Sequence, residues 1–253
     1  MGAAAERDRD DRASNGARQR VVGRDAVARA LDDGEPLRWV VVREGALAPE
    51  LEALCERAAA SGAQVERAGA RRHRRVCGDA ELAAWVGPPP DADLDAVMAR
   101  GGAVWLLVGA AYPGNVGAAL RTAEVAGADG VYVDNGFDHA QRREARRASM
   151  RADRCLSVAW ERANAVIGAA RRAGKTFVGV EESGRVAPWD VALDGSLLLV
   201  VGGEAEGVPP AILRRCEVVV RIPMAGFVAS YNLQAAVAIV AAERLRQLER
   251  AAR

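Results

Sequence analysis

A chain of 253 residues, half of them hydrophobic and 27% charged, has the composition of one or two ordinary globular domains, and with only 4% aromatics its core must be aliphatic. Its 35 basic and 34 acidic residues leave a formal charge of +1, so no global excess demands a nucleic-acid partner and any such surface has to be local. Cys55, Cys77, Cys155 and Cys216 form no CxxC pair, His73 and His139 lie far apart, and no apolar run reaches the ~20 residues of a membrane span, which argues against a metal site and against a membrane protein. With no apolar signal segment in residues 1–20, the expectation is a soluble cytoplasmic protein with reduced thiols.

Residues 1–20 mix charge with small side chains without periodicity and are expected to be a disordered tail. A small α/β unit follows over 21–90: a helix in DAVARALDDG stopped by Gly34, a buried strand over 37–42, an amphipathic helix over 49–61, a strand over 64–67 and the basic run RRHRR at 71–75. GPPPDAD at 87–93 breaks the pattern and predicts a linker through 91–101. From 102 to 253 the alternation resumes. Strands are expected over 104–108, 131–134, 177–180, 197–201 and 218–222, and helices over 118–126, 163–173 and 233–248. Together they predict a mostly parallel sheet with helices on both faces.

Three loops in this second unit carry unusual residues, each just past the carboxyl end of a predicted strand, where open α/β sheets bind ligands. In LLVGAAYPGNVGAALRTAEVAGADGVYVD (106–134), strand, glycine turn, helix, strand and Asp134 resemble a dinucleotide-binding turn, but the first GxG spacing is missing. Asn115 and Arg121 are polar additions that such a turn does not need, although Arg121 alone is equally a solvated helix residue. In LLLVVGGEAEGVPPAIL (197–213), Gly202 and Gly203 would let a ligand lie against bare backbone, with Glu204 and Glu206 beside them. In VVVRIPMAGFVASYNLQAAVAIVAAERL (218–245), Ser230 reads as the cap of the last helix, which leaves the Ile222-Pro223-Met224 turn and Asn232 unexplained.

Taken in order, NVGAALR (115–121), VVGGEAEGV (200–208), RIPM (221–224) and SYN (230–232) resemble the three signature motifs of the TrmH-like SPOUT RNA 2'-O-ribose methyltransferases. GRDAVARAL (23–31) is similar to the opening of that family's small ribosomal-protein-like RNA-binding domain. The resemblance implies a deep C-terminal trefoil knot whose loops hold S-adenosylmethionine, and a homodimer. It implies transfer of the sulfonium methyl to a ribose 2'-hydroxyl of structured RNA, with ribosomal RNA favoured over transfer RNA.

Carried over residue by residue, the cofactor would meet Gly179, Val180, Gly202, Gly203, Ile222, Met224, Tyr231 and Asn232. Arg121 would act on phosphate and the developing alkoxide, Asn115 would orient Arg121 or the ribose, and Glu204 would fix the arginine and loop. Ser230 with Asn232 would complete the catalytic pocket. The family commonly has leucine where Tyr231 stands, and the first unit ends in AWVG (84–87) rather than the usual His-Gln-Gly stretch. The densest basic runs, 71–75 and 141–154, supply the candidate RNA contacts Arg72, Arg74, Arg143, Arg147 and Arg151. Leu233, Ala236, Val237, Ile239 and Val240 form either a dimer face or internal core. The competing readings are a non-catalytic RNA-binding protein with a vestigial methyltransferase domain and a Rossmann dehydrogenase.

Overall fold

A computed structural model describes residues 19–87, 90, 93–228 and 230–251; most of the expected tail, residues 1–18, lies outside them. The described chain separates into two compact units between residues 89 and 90.

The first unit runs β1 (Gln19–Val22), α1 (Arg24–Asp32), β2 (Leu37–Arg43), α2 (Pro49–Ala60), β3 (Gln64–Ala68), α3 (Ala70–Cys77) and β4 (Leu82–Val86). The sheet order is β1-β4-β2-β3, with β2 and β3 parallel and β4 antiparallel to both of its neighbours. Val27 of α1, Leu51 and Leu54 of α2, and Val40, Val42 and Leu82 pack one face. The other face carries Trp39 and Trp85, with ring centroids 5.3 Å apart, covered by α3. One expectation is corrected here. Gln19 and Arg20 are strand residues, paired with Val86 and Trp85, so the tail stops earlier than 20. RRHRR is the body of a helix, anchored by the buried Cys77 and half-buried Val76; β1 and β4 went unread because QRVV and LAAWV carry too little branched apolar character.

The second unit runs α4 (Leu94–Met98), β5 (Ala103–Val108), α5 (Pro113–Val125), β6 (Gly130–Asp134), α6 (His139–Ala148), β7 (Ser157–Trp160), α7 (Ala163–Arg172), β8 (Thr176–Val180), β9 (Leu197–Gly202), α8 (Pro210–Leu213), β10 (Val218–Val220) and α9 (Leu233–Ala251). The stretch expected to be linker therefore holds α4. Asp93 caps it by accepting from Ala96 N–H at 2.8 Å, and its Val97 and Met98 are buried. Gly114–Gly117, expected as a turn, already belong to α5, which Pro113 opens without sacrificing a hydrogen bond. The close approach of α5 to α6 requires Gly117: a Cβ there would sit 2.4 Å from Ala148 Cβ.

All six strands are parallel, in the order β10-β8-β9-β5-β6-β7. Counted from the first strand of this unit, the order is 6-4-5-1-2-3. A dinucleotide-binding sheet reads 6-5-4-1-2-3 in the same direction. Exchange of the fourth and fifth strands sets this sheet apart from the Rossmann arrangement. Helices α5, α6 and α9 cover one face and α4, α7 and α8 the other, so strands such as β5 and β9 read as unbroken aliphatic runs. The α9 residues Leu233, Ala236, Val237 and Val240 lie in that core, packed against α5 and the sheet, and Ile239 is partly buried against it.

Candidate active site at the carboxyl edge of the sheet

Three loops meet beyond the carboxyl ends of β8, β9 and β10. The loop after β9 returns on itself, Gly207 N–H donating to Gly203 O at 3.1 Å. Gly202 and Gly203 are forced by this return. A Cβ on Gly202 would fall 2.0 Å from the Gly207 carbonyl carbon, and one on Gly203 would fall 2.0 Å from Gly109 O. The space that sequence reasoning reserved for a ligand is thus filled by the chain's own backbone at both glycines, while the same loop walls a cleft on its other side. Gly184 is under a similar constraint, its missing Cβ 2.6 Å from the Val220 carbonyl carbon, as the loop after β8 crosses the end of β10.

Carboxylates hold these crossings together. Glu204 bridges two elements: Oε2 accepts from Ala111 N–H at 3.1 Å and Oε1 from Asn115 Nδ2 at 2.5 Å. Glu181 does the same between β8 and the β9 loop, Oε2 accepting from Val208 N–H at 2.8 Å and Oε1 from Glu182 N–H at 3.0 Å. Arg221 N–H donates to Val186 O at 2.8 Å, and Tyr231 Oη donates to Pro223 O at 3.2 Å, which closes the last loop. Asn232, not Ser230, caps α9: its Oδ1 accepts from Gln234 N–H at 2.9 Å.

Between the loops lies a cleft of about 300 Å³. Of the expected residues, Val180, Gly202, Gly203, Glu204, Ile222, Met224, Ser230 and Tyr231 line it. Gly179 does not: it faces the back of the sheet, 3.2 Å from Cys216 Sγ at its Cβ position, and burial pushes that thiol up to about 11, with Glu217 adding to the effect. Asn232, Asn115 and Arg121 are also outside the lining; Asn115 is joined to it through Glu204, and Arg121 is exposed further along α5. Sequence reasoning missed Glu181, Glu182, Arg221, Leu233 and Ala236. Glu181 and Glu182 had a signal of the kind that singled out Glu204, carboxylates directly after a buried strand.

Chemically, the wall is mixed. Ile222, Leu233 and Ala236 offer apolar surface, backbone of the glycine loop offers hydrogen-bonding edges, and Glu181, Glu182, Glu204 and Glu206 outnumber Arg221 as charges. Such a site suits a ligand with a flat, partly polar ring and a net positive charge. The basic helix α6 stands beside β6 and β7, with Arg143, Arg147 and Arg151 exposed; Arg72 is instead held by Glu66 at 2.6 Å and stacked over Trp39, while Arg74 is exposed.

Residues 103–242 match the model of the SpoU rRNA Methylase family. The chain belongs to that family. It is 29% identical over 241 residues to the 23S rRNA (guanosine-2'-O-)-methyltransferase RlmB of Xanthomonas axonopodis pv. citri, covering 90% of this chain and 96% of the relative. It is 30% identical over 244 residues to the RlmB of Xylella fastidiosa, with the same coverages. Among solved structures, the SpoU methyltransferase AviRb from Streptomyces viridochromogenes in complex with AdoMet aligns with a TM-score of 0.56 and 25% identity, over 94% of this chain and 93% of that one. For a SpoU rRNA methylase the acidic cleft is chemically apt, because S-adenosylmethionine carries a sulfonium and an ammonium against one carboxylate. Among the described residues no group of histidine, cysteine, aspartate or glutamate could hold a metal ion, and no helix is long and apolar enough to cross a membrane.

Proposed function

We propose that this protein transfers the methyl group of S-adenosylmethionine to a ribose 2'-hydroxyl of ribosomal RNA. The observation that carries the reading is the convergence of the 200–208, 221–224 and 230–232 segments on one acid-rimmed cleft, with the α5 motif tied to it by the Glu204–Asn115 bond. The family match and the relatives' named action on guanosine 2'-oxygens of 23S RNA point to the same reaction and favour ribosomal RNA. Bound there, the cofactor supplies an electrophilic methyl on a good leaving group.

The chain's own residues then have a limited task, since alignment of oxygen, carbon and sulfur dominates the barrier. Val180, Ile222 and Met224 would wall the adenosine; Glu181 and Glu204 tie the loops together, and Glu206 adds negative charge to the lining. A guanidinium is a poor proton acceptor and a good oxyanion donor, so Arg121 is assigned to holding phosphate and the developing alkoxide rather than to acting as a base. Asn115, fixed by Glu204, orients the ribose. Ser230 lines the mouth where the hydroxyl would enter.

Finer features belong to the same proposal. The strand exchange, with the Gly184–Val220 and Gly202–Gly207 backbone crossings, supports a threaded, knotted C-terminal segment. The paired Trp39 and Trp85 and the basic α3 support an RNA-recruiting role for residues 21–90. A homodimer is proposed on the exposed Phe227 and Val228 in the loop that precedes α9, because α9 spends its apolar face internally. An RNA substrate of this kind implies action in the cytoplasm.

The test is a map of ribose methylation on ribosomal RNA from cells with and without the gene, beside calorimetry of S-adenosylmethionine with the purified chain. One methylated nucleotide missing from the deletion strain, with cofactor bound in the tube, is expected. An unchanged map, or no heat of binding, overturns the reading and leaves an RNA-binding protein without catalysis.

A further inference from the structure

A second cavity opens on the same sheet edge, beyond the carboxyl ends of β6 and β7, lined by Asp134, Asn135, Arg142, Trp160, Glu161 and Arg162. β6 and β7 are the second and third strands from β9, so the cavity lies about 10–14 Å from that strand at one strand spacing each. The guanidinium groups of Arg142 and Arg146 lie over the Trp160 indole at 5.4 and 5.5 Å. Arg142 Nε is committed to Phe137 O at 3.0 Å, which fixes the plane of the group and leaves its Nη atoms available. The Trp160 indole N–H is buried with no hydrogen-bond partner, one of two such side-chain atoms among the described residues.

Acceptors stand opposite. Asp134 Oδ2 takes Ala163 N–H at 2.8 Å and leaves Oδ1 free of that bond, and Glu161 is exposed beside it. A bare phosphate would meet these two carboxylates as well as the arginines, so it fits poorly. A neutral base with both kinds of edge fits well, and stacking on an indole or a guanidinium plane is how unpaired bases are held in RNA recognition. Guanine alone offers two adjacent acceptors, O6 and N7, to an arginine, and two adjacent donors, N1–H and N2–H, to a carboxylate.

We infer that this cavity binds an unstacked guanine of the RNA substrate, a few nucleotides from the ribose that is methylated. The inference rests on the RNA-methylation reading for its substrate class. It makes Trp160, Arg142 and Asp134 specificity residues, separate from the cofactor cleft, and it assigns the inward face of α6 (Arg142 and Arg146) to base recognition, with Arg143 and Arg147 left for phosphates.

The test uses the full chain and fluorescein-labelled RNA hexamers UUUGUU, UUUAUU and UUUUUU, followed by anisotropy at fixed salt. The wild type is expected to prefer the guanine hexamer by about tenfold, the worth of one good bidentate base contact. Arg142→Gln and Trp160→Leu should each bring that ratio close to one while calorimetric affinity for S-adenosylmethionine stays the same. Equal binding of the three hexamers by the wild type, or a preference that survives both substitutions, overturns the inference. Should Trp160→Leu fail to fold, the exposed-edge variant Arg142→Gln decides alone. Loss of cofactor binding in the wild type would strike the methyl-transfer reading instead, and the hexamer ratio would still judge the cavity.

Discussion

Arg121 and Gly203 illustrate two kinds of residue that a motif can contain. Arg121 is exposed on α5 and takes part in no ion pair among the described residues, so its removal leaves packing intact. Arg121→Ala should abolish methylation of ribosomal RNA while S-adenosylmethionine binds with nearly unchanged affinity; turnover at the wild-type rate would remove it from the mechanism. Gly203 is the opposite case. Its missing Cβ faces backbone, which has no flexible end to move aside, so Gly203→Ala must shift either the β9 loop or Gly109. Cofactor affinity should fall by tenfold or more and the melting temperature should drop. An alanine variant that binds normally would show the crossing to be looser than described.

At the scale of elements, α6 depends on its start. Asp138 and Gln141 form a reciprocal capping box, Asp138 Oδ1 accepting from Gln141 N–H at 2.8 Å and Gln141 Oε1 accepting from Asp138 N–H at 3.0 Å. Asp138→Ala should cost about 1 kcal/mol of stability, read by denaturant unfolding. RNA affinity should weaken with it, since the arginines of α6 would no longer be presented on a fixed helix; unchanged affinity would place the RNA elsewhere. Strands buried on both faces, such as β5, β6, β8 and β9, were legible in sequence alone, because an uninterrupted aliphatic run there has no other use. Short strands did not show: SVAW of β7 and LAAWV of β4 are recognisable only once their neighbours are paired. Motif residues located the cleft, and Glu181 carried a local signal as a carboxylate after a buried strand, but its role in tying β8 to the β9 loop lies in its bond to Val208, 27 residues away. No local pattern records such a contact.

Across the second unit as a whole, stability is anchored at the end of the sheet away from the cleft. Lys175, 3% exposed, donates to Arg100 O at 2.8 Å, Gly102 O at 2.9 Å and Ser196 Oγ at 3.1 Å, joining segments that precede β5, β8 and β9. Burial holds its ammonium below the ordinary lysine value, against a smaller opposing pull from Asp129. A lysine whose folded value is lowered carries its penalty in full below that value, and the penalty lifts as pH rises toward the unfolded value. Lys175→Met should therefore destabilise by about 1–3 kcal/mol at neutral pH, having left three acceptors without their donor. The gap between wild type and variant should widen on going to alkaline pH; a gap that narrows would contradict the sign.

The exchange of the fourth and fifth strands also constrains synthesis. β10 and the 221–232 loop follow the other five strands in the chain, yet they supply one wall of the cleft and lie against the loop that follows β8. A chain made only as far as β9 has the sheet centre but lacks that wall of the cleft.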